Sequence, residues 1–185
     1  KEPAADTDPS ILPNVEQYLN LKVEYPDKLA GVQIGDSIRF YGKDAEAAAP
    51  ILHCPLETRD IPALGETQAA ETAMELPLVM RYLLEQGQSV VLARPDPERG
   101  PNAPYQILAE RDTKDYIPVG REVTLDGRRM KIDSVNYGSG KVSLLDMEVQ
   151  GWYPIFRDVQ IPLVRGLLDR QEEKEREQSS GVTPA

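Results

Sequence analysis

Between residues 11 and 94 the apolar positions switch between a helical and a strand rhythm. In "PNVEQYLNLKVEYPD", Val15, Tyr18 and Leu19 recur at helical spacing, with Leu21 and Val23 behind them and Ile11 and Leu12 just ahead. Pro13 and Asn14 open this helix and Pro26 stops it. "LAGVQIG" and "SIRFYG" are β-rich runs separated by Gly35-Asp36, a dipeptide suited to a tight hairpin. "KDAEAAAPIL" predicts an alanine-rich helix whose end Pro50 limits or kinks. "LETRDIPALGE" predicts irregular extended chain with at most one short strand.

The stripe Met74, Leu76, Val79, Met80, Leu83 and Leu84 predicts a helix buried on one side, with Pro77 either kinking it or marking its first turn. Gly87 caps it, and "SVVLAR" follows as a fully buried strand. Alternating strands and helices of this kind predict an α/β layer, a mixed sheet with flanking helices, over residues 11–94. Residues 1–10, "KEPAADTDPS", are polar and proline-punctuated and are expected to be disordered.

"PDPERGPNAP", residues 95–104, holds four prolines and a glycine, and predicts a linker between domains. Beyond it the rhythm becomes β. "REVTLDGRRMKIDSV" alternates Val123 and Leu125 with polar neighbours, turns at Asp126-Gly127 and resumes with Met130 and Ile132 inward. "NYGSG" turns into "KVSLLDMEV", and "GWYPIFRDV" adds an edge strand. Three or four strands and a closing helix, "IPLVRGLLDRQEEKER", predict a small β-rich domain over residues 105–174, followed by a disordered tail over 175–185.

Composition narrows the function classes. Of the 185 residues, 40% are hydrophobic and 28% charged, ordinary values for a globular protein. No apolar run approaches the ~20 residues that span a bilayer, no signal-peptide pattern is visible, and a cytoplasmic location is expected. The start at Lys1 is read as that of a processed or excerpted piece. A single cysteine, Cys54, excludes an internal disulfide framework.

The net charge of −10 disfavours broad phosphate binding, because affinity for nucleic acid comes largely from cations that displace counterions. The charge is also uneven: residues 11–96 carry seven basic against thirteen acidic groups, and residues 105–170 carry ten of each. If either half touches nucleic acid, charge favours the second.

Candidate chemistry is sparse. His53 and Cys54 are adjacent, so in extended chain they point to opposite faces and make no dyad; a buried thiol beside a partly exposed imidazole is the expectation. One histidine and one cysteine fall short of a zinc site. Asp36, Asp44 and Glu46 could hold a hard cation, but Asp44 and Glu46 fall in the first turn of a helix, where carboxylates already favour the positive dipole end. No catalytic constellation, metal or cofactor is expected. "GRRMK", residues 127–131, is the densest basic patch, with Arg129 and Lys131 on one strand face and Arg128 beside the turn. Trp152, Tyr153 and Phe156 could stack on bases, although closing a small core is the favoured reading.

With these elements in order, "QYLNLKVEYPDKLAGVQIGDSIRFYGKDAEAAAPIL", then "TRDIP", then "YLLEQGQSVVLA" resemble the mismatch-recognition domain that opens the MutS proteins. The resemblance spans roughly residues 14–94 and implies a mixed sheet flanked by helices. In that family "GD" is followed by Phe-x-Glu, which stacks on and hydrogen-bonds to a mispaired base. Here Ser37 and Arg39 stand at those positions: serine has no ring to wedge between bases, and arginine reverses the charge. No "G----GK[ST]" motif for nucleotide hydrolysis is present.

Arg39, with Tyr41 and Lys43 nearby, offers a plainer contact to phosphate or guanine, although a solvated arginine on an open sheet face is the favoured reading. MutS-like modules of this kind are also similar to segments of polyvalent proteins of phages and integrative elements, and the second half resembles a small β module of such proteins. The expectation is a non-enzymatic accessory module of a DNA-processing, mobile-element assembly, contacting protein or, weakly, DNA through Arg39, Tyr41, Lys43, Arg128, Arg129 and Lys131. The alternative is a structural module whose acidic surface docks a partner protein.

Overall fold

Pro13 sits in the first turn of α1 (Leu12–Glu24), and Pro26 follows its end. The computed structural model describes residues 4–5, 12–96 and 105–180, in two compact units, 1–114 and 115–185. In the first unit α1 leads into β2 (Leu29–Ile34) and β3 (Ser37–Tyr41). Gly35, at φ +59°, supplies the left-handed first position of their two-residue turn. Then come α2 (Gly42–Leu52), β4 (Leu56–Ile61), β5 (Gly65–Thr72), α3 (Leu76–Glu85), β6 (Val90–Pro95) and β7 (Tyr105–Arg111). With β1 (Ala4–Ala5) these strands form one mixed sheet ordered β1-β4-β5-β3-β2-β6-β7. The central pair β2–β6 is parallel, and most of the remaining pairs are antiparallel.

Strand alternation sends the side chains to two different layers. Ala30, Val32, Tyr41, Val91 and Ala93 face α1 and enclose Val15, Tyr18 and Leu21. Ile38, Phe40 and Leu92 point the opposite way and are buried as completely. Gly31 lies among them, and a Cβ there would stand 2.7 Å from Phe40 Cε1 and 2.8 Å from Leu92 Cδ2. The glycine therefore lets three large side chains close over the centre of the sheet. On α2, Ala45, Ala48, Ala49 and Leu52 are buried; on α3, Val79, Met80, Leu83 and Leu84 are. Pro77 occupies the first turn of α3, where its missing N–H costs nothing, and does not kink the helix.

Asp44, in the first turn of α2, joins three elements. Its carboxylate accepts from Tyr18 Oη at 2.9 Å and from the Ala30 amide at 3.3 Å, and Lys22 Nζ lies 3.2 Å away. Tyr18 Oη also lies 3.0 Å from the Tyr41 carbonyl oxygen. Burial, reinforced by the Asp44 charge and hydrogen bond, pushes the Tyr18 phenol well above its ordinary range.

Four sequence expectations are corrected here. "LETRDIPALGE" opens a full hairpin: β4 pairs with β5 over six registered positions. β4 is largely exposed, β5 is mixed, and both are mostly polar, so the apolar pattern left no alternation to read. Second, the domain boundary is not at 95–104. β7 returns antiparallel along β6, with Pro95 opposite Tyr105, so the proline-rich stretch joins neighbouring strands of one sheet, and the units divide after Lys114. Residues 97–104 themselves lie outside the described residues. Third, within the expected disordered segment 1–10, Ala4–Ala5 pair with β4 as β1, and the rest of that segment lies outside the described residues. Val23, expected inward, is 84% exposed.

The second unit is an antiparallel meander of β8 (Glu122–Leu125), β9 (Arg128–Asn136), β10 (Lys141–Asp146) and β11 (Phe156–Gln160), in spatial order β11-β10-β9-β8. Asp126 and Gly127, at φ 52° and 76°, make the type I′ turn that matches the twist of β8 and β9. Val123, Leu125, Met130, Ile132, Val142 and Leu144 form the inner face. α4 (Ile161–Ser180) adds buried Ile161, Val164 and Leu168 to this unit. The helix continues to Ser180 through the expected tail at 175–180; residues 181–185 lie outside the described residues.

Candidate nucleic-acid interface

On the α1 side of the first sheet, the β3–β5–β4 portion carries a shallow concavity of about 350 Å³. Register sets its walls: Arg39 lies opposite Glu71, and Ala69 pairs with Tyr41 on one side and Glu57 on the other. Ser37 and Arg39, the positions that align with the mismatch reader, both open onto it. Arg39 Nε is 3.5 Å from Glu71 Oε1, and Arg59 Nη2 is 3.0 Å from Glu57 Oε2. The two arginines are answered by two glutamates, so the concavity presents little net positive field.

Tyr41 lines the concavity from an almost fully buried position. It shares the face of Ser37 and Arg39, as alternation requires, but it is only 1% exposed and its ring packs edge-on against Tyr18 with centroids 5.3 Å apart. The sequence could not show that α1 lies over this end of β3. Lys43 is exposed on the first turn of α2 and does not line the concavity.

The basic patch of the second unit also separates into different environments. Arg128 is bidentate on Asp146, at 2.8 and 3.2 Å, which holds the Asp146 carboxyl below the usual carboxylate range, helped by the Glu148 amide. Its guanidinium thus braces β9 against the end of β10. Arg129 stands opposite Thr124 on the outer face, and its Nε is 3.7 Å from Glu122. Lys131 is exposed opposite Glu122. The structure therefore leaves Arg129 and Lys131 far less committed than Arg128.

The aromatic group falls elsewhere than expected. Trp152 and Tyr153 are 97% and 83% exposed in the loop between β10 and β11, and Ile155 and Phe156 are about half exposed, so the group closes no core. This loop lies at the same end of the sheet as the β8–β9 turn: Arg157 Nη1 reaches Asp126 at 2.7 Å, and the Met147 amide donates to the Arg129 carbonyl. The composition of "GWYPIF" predicted burial; among the described residues of this unit nothing covers Trp152 and Tyr153.

The remaining candidates are accounted for by packing. Cys54 is half-buried rather than buried, and burial raises its thiol pKa; His53 is exposed, in a left-handed conformation at the end of α2. Lys28 joins Glu110 at 3.2 Å and also Asp112, and these hydrogen bonds outweigh the burial that opposes its charge. Among the described residues, no three His, Cys, Asp or Glu side chains are grouped to hold a metal, and no helix is long and apolar enough to cross a membrane.

The first unit is thus an α/β domain with part of one sheet face open, a scaffold that holds alternate side chains of a central strand outward. Residues 12–96 match the family model described as MutS domain I. The chain is 28% identical over 153 residues to the DNA mismatch repair protein MutS of Desulfatibacillum aliphaticivorans, covering 76% of this chain and 16% of that protein. It is 28% identical over 159 residues to MutS of Roseobacter denitrificans, covering 79% and 17%, and 42% identical over 52 residues to MutS of Oleidesulfovibrio alaskensis, covering 28% and 6%. The chain spans about one-sixth or less of the length of these relatives.

Proposed function

We propose that this chain is a non-catalytic accessory module of a DNA-processing protein, one that contacts nucleic acid weakly and without reading mismatches. Similarity to proteins named for mismatch repair supports the nucleic-acid setting. The observation that carries the rest is the content of the open face. Ser37 offers no ring, and Arg39 is paired with Glu71 where an acidic hydrogen-bonding group would be required. Base-specific capture needs a wedge between base steps. What remains is electrostatic contact, and in an acidic chain that is weak, of the order of 10⁻⁴ to 10⁻⁶ M for non-specific binding at physiological salt. A setting among the proteins of a mobile element, with a partner protein of that assembly beside the DNA, belongs to the same reading.

The test is fluorescence anisotropy with labelled homoduplex, mismatched duplex and single-stranded DNA at several salt concentrations. Comparable weak affinities for matched and mismatched duplex, each falling as salt rises, are expected. Selective tight capture of the mismatch overturns the proposal, and so does the absence of any binding at low salt, which would leave a protein-docking module.

A further inference from the structure

Along the β8 edge of the second unit runs a groove of about 380 Å³ between β8 and α4 that the sequence patch alone does not reveal. Val123 and Leu167 form its apolar floor, and Arg129, Arg170 and Lys174 line it together with one carboxylate, Glu122. Three cations against one anion make a locally positive site on a chain whose net charge is −10.

Part of the charge on α4 is paired and part is not. On one flank Arg165 binds Asp169 at 2.9 Å and Glu172 at 3.5 Å, and Arg121 reaches Glu172 at 3.3 Å, so charge is neutralised internally. On the groove flank Arg170 and Lys174 have no ion-pair partner among the described residues. Four residues apart on one helix face, they stand roughly 6 Å from each other. Across the groove, Arg129 is held only by a 3.7 Å approach to Glu122 in which both groups are about half exposed. Such a pair contributes little and yields readily to a competing anion.

From this lining we infer that the β8–α4 groove is a binding site for phosphate groups, which Arg129 and Arg170 grip through their guanidinium forks and Lys174 as a point charge. The phosphates belong either to a nucleic-acid strand lying along α4 or to a small phosphate ester. The strand is the occupant that rests on the function proposed above; the ester does not depend on it.

Three phosphate contacts to a single strand give a salt slope of about −2, which is roughly a twentyfold loss of affinity between about 50 and 200 mM salt. Arg170→Ala with Lys174→Ala should reduce that loss to about threefold, while Arg81→Ala, at an exposed position of α3, leaves it unchanged. In parallel, backbone amide shifts of Thr124, Leu167 and Gln171 are followed by NMR as pyrophosphate, and separately a short single-stranded oligonucleotide, is added to the full chain. Shifts with both ligands that vanish in the double variant support the groove with a strand in it. Shifts with pyrophosphate alone support the groove and overturn the nucleic-acid function. Oligonucleotide binding that keeps its slope in the double variant overturns the groove and leaves that function standing. No shift with either ligand overturns the groove.

Discussion

Replacing Gly31 by alanine sets two effects against each other at the centre of the first sheet. Gly31 lies within β2 and has no positive φ, so alanine fits the backbone and gains roughly 0.5–1 kcal/mol by restricting the unfolded chain. The new methyl would lie 2.7 Å from Phe40 Cε1, 2.8 Å from Leu92 Cδ2 and 3.1 Å from Ile38 Cγ2. All three side chains are at most 1% exposed, so none can swing into solvent. Overpacking of such a core costs about 1–3 kcal/mol, and the net effect is a destabilisation of about 1–2 kcal/mol. For a unit of this size the thermal midpoint should fall by roughly 5–15 °C.

Differential scanning calorimetry resolves that transition, and a second variant identifies its cause. Leu92→Val removes the carbon that meets the new methyl, so Gly31→Ala combined with Leu92→Val should cost less than the sum of the single changes by roughly 0.5 kcal/mol or more. An unchanged or raised midpoint in Gly31→Ala, or strict additivity with Leu92→Val, would refute the close-packed contact. The consequence reaches the candidate site, because Phe40 is flanked in β3 by Arg39 and Tyr41.

Tyr18→Phe should destabilise the first unit by about 1–2 kcal/mol in urea denaturation, because its hydroxyl joins Asp44 and the Tyr41 carbonyl in a buried setting. Tyr18 and Tyr105 both have raised pKa values, Tyr105 to about 12 through burial and its hydrogen bond to Glu24. A raised folded value gives stability that is complete below the unfolded pKa near 10 and lost as pH rises above it, so Tyr105→Phe should flatten the decline between pH 10 and about 12. The lowered Asp146 pKa acts in the opposite direction: its contribution is present above the ordinary value of 3.8 and lost as pH falls below it, so Asp146→Asn should flatten the acid limb of the second unit. Trp152→Ala should shift stability by no more than about 0.5 kcal/mol; as the protein's single tryptophan and almost fully exposed, Trp152 reports by fluorescence quenching whether DNA reaches that loop.

What the sequence determined by itself was whatever local chemistry repeats. The stripe on α3, the Gly35-Asp36 and Asp126-Gly127 turns and the buried β6 were all legible, because periodicity and left-handed turn residues act over a few positions. So was the departure at Ser37 and Arg39, since a missing ring and an inverted charge need no coordinates. The tertiary structure decided everything that depends on a partner distant in sequence. β4 and β5 are strands because they bond to each other, not because either alternates. Tyr41 is buried because α1 covers that end of β3, and Trp152 is bare because none of the described residues of its unit packs over it. Arg128 and Arg129, neighbours in one basic run, differ because Asp146 clamps one and only a loosely held Glu122 approaches the other. Burial and ion pairing are properties of what lies opposite a residue, and a linear chain does not state what that will be.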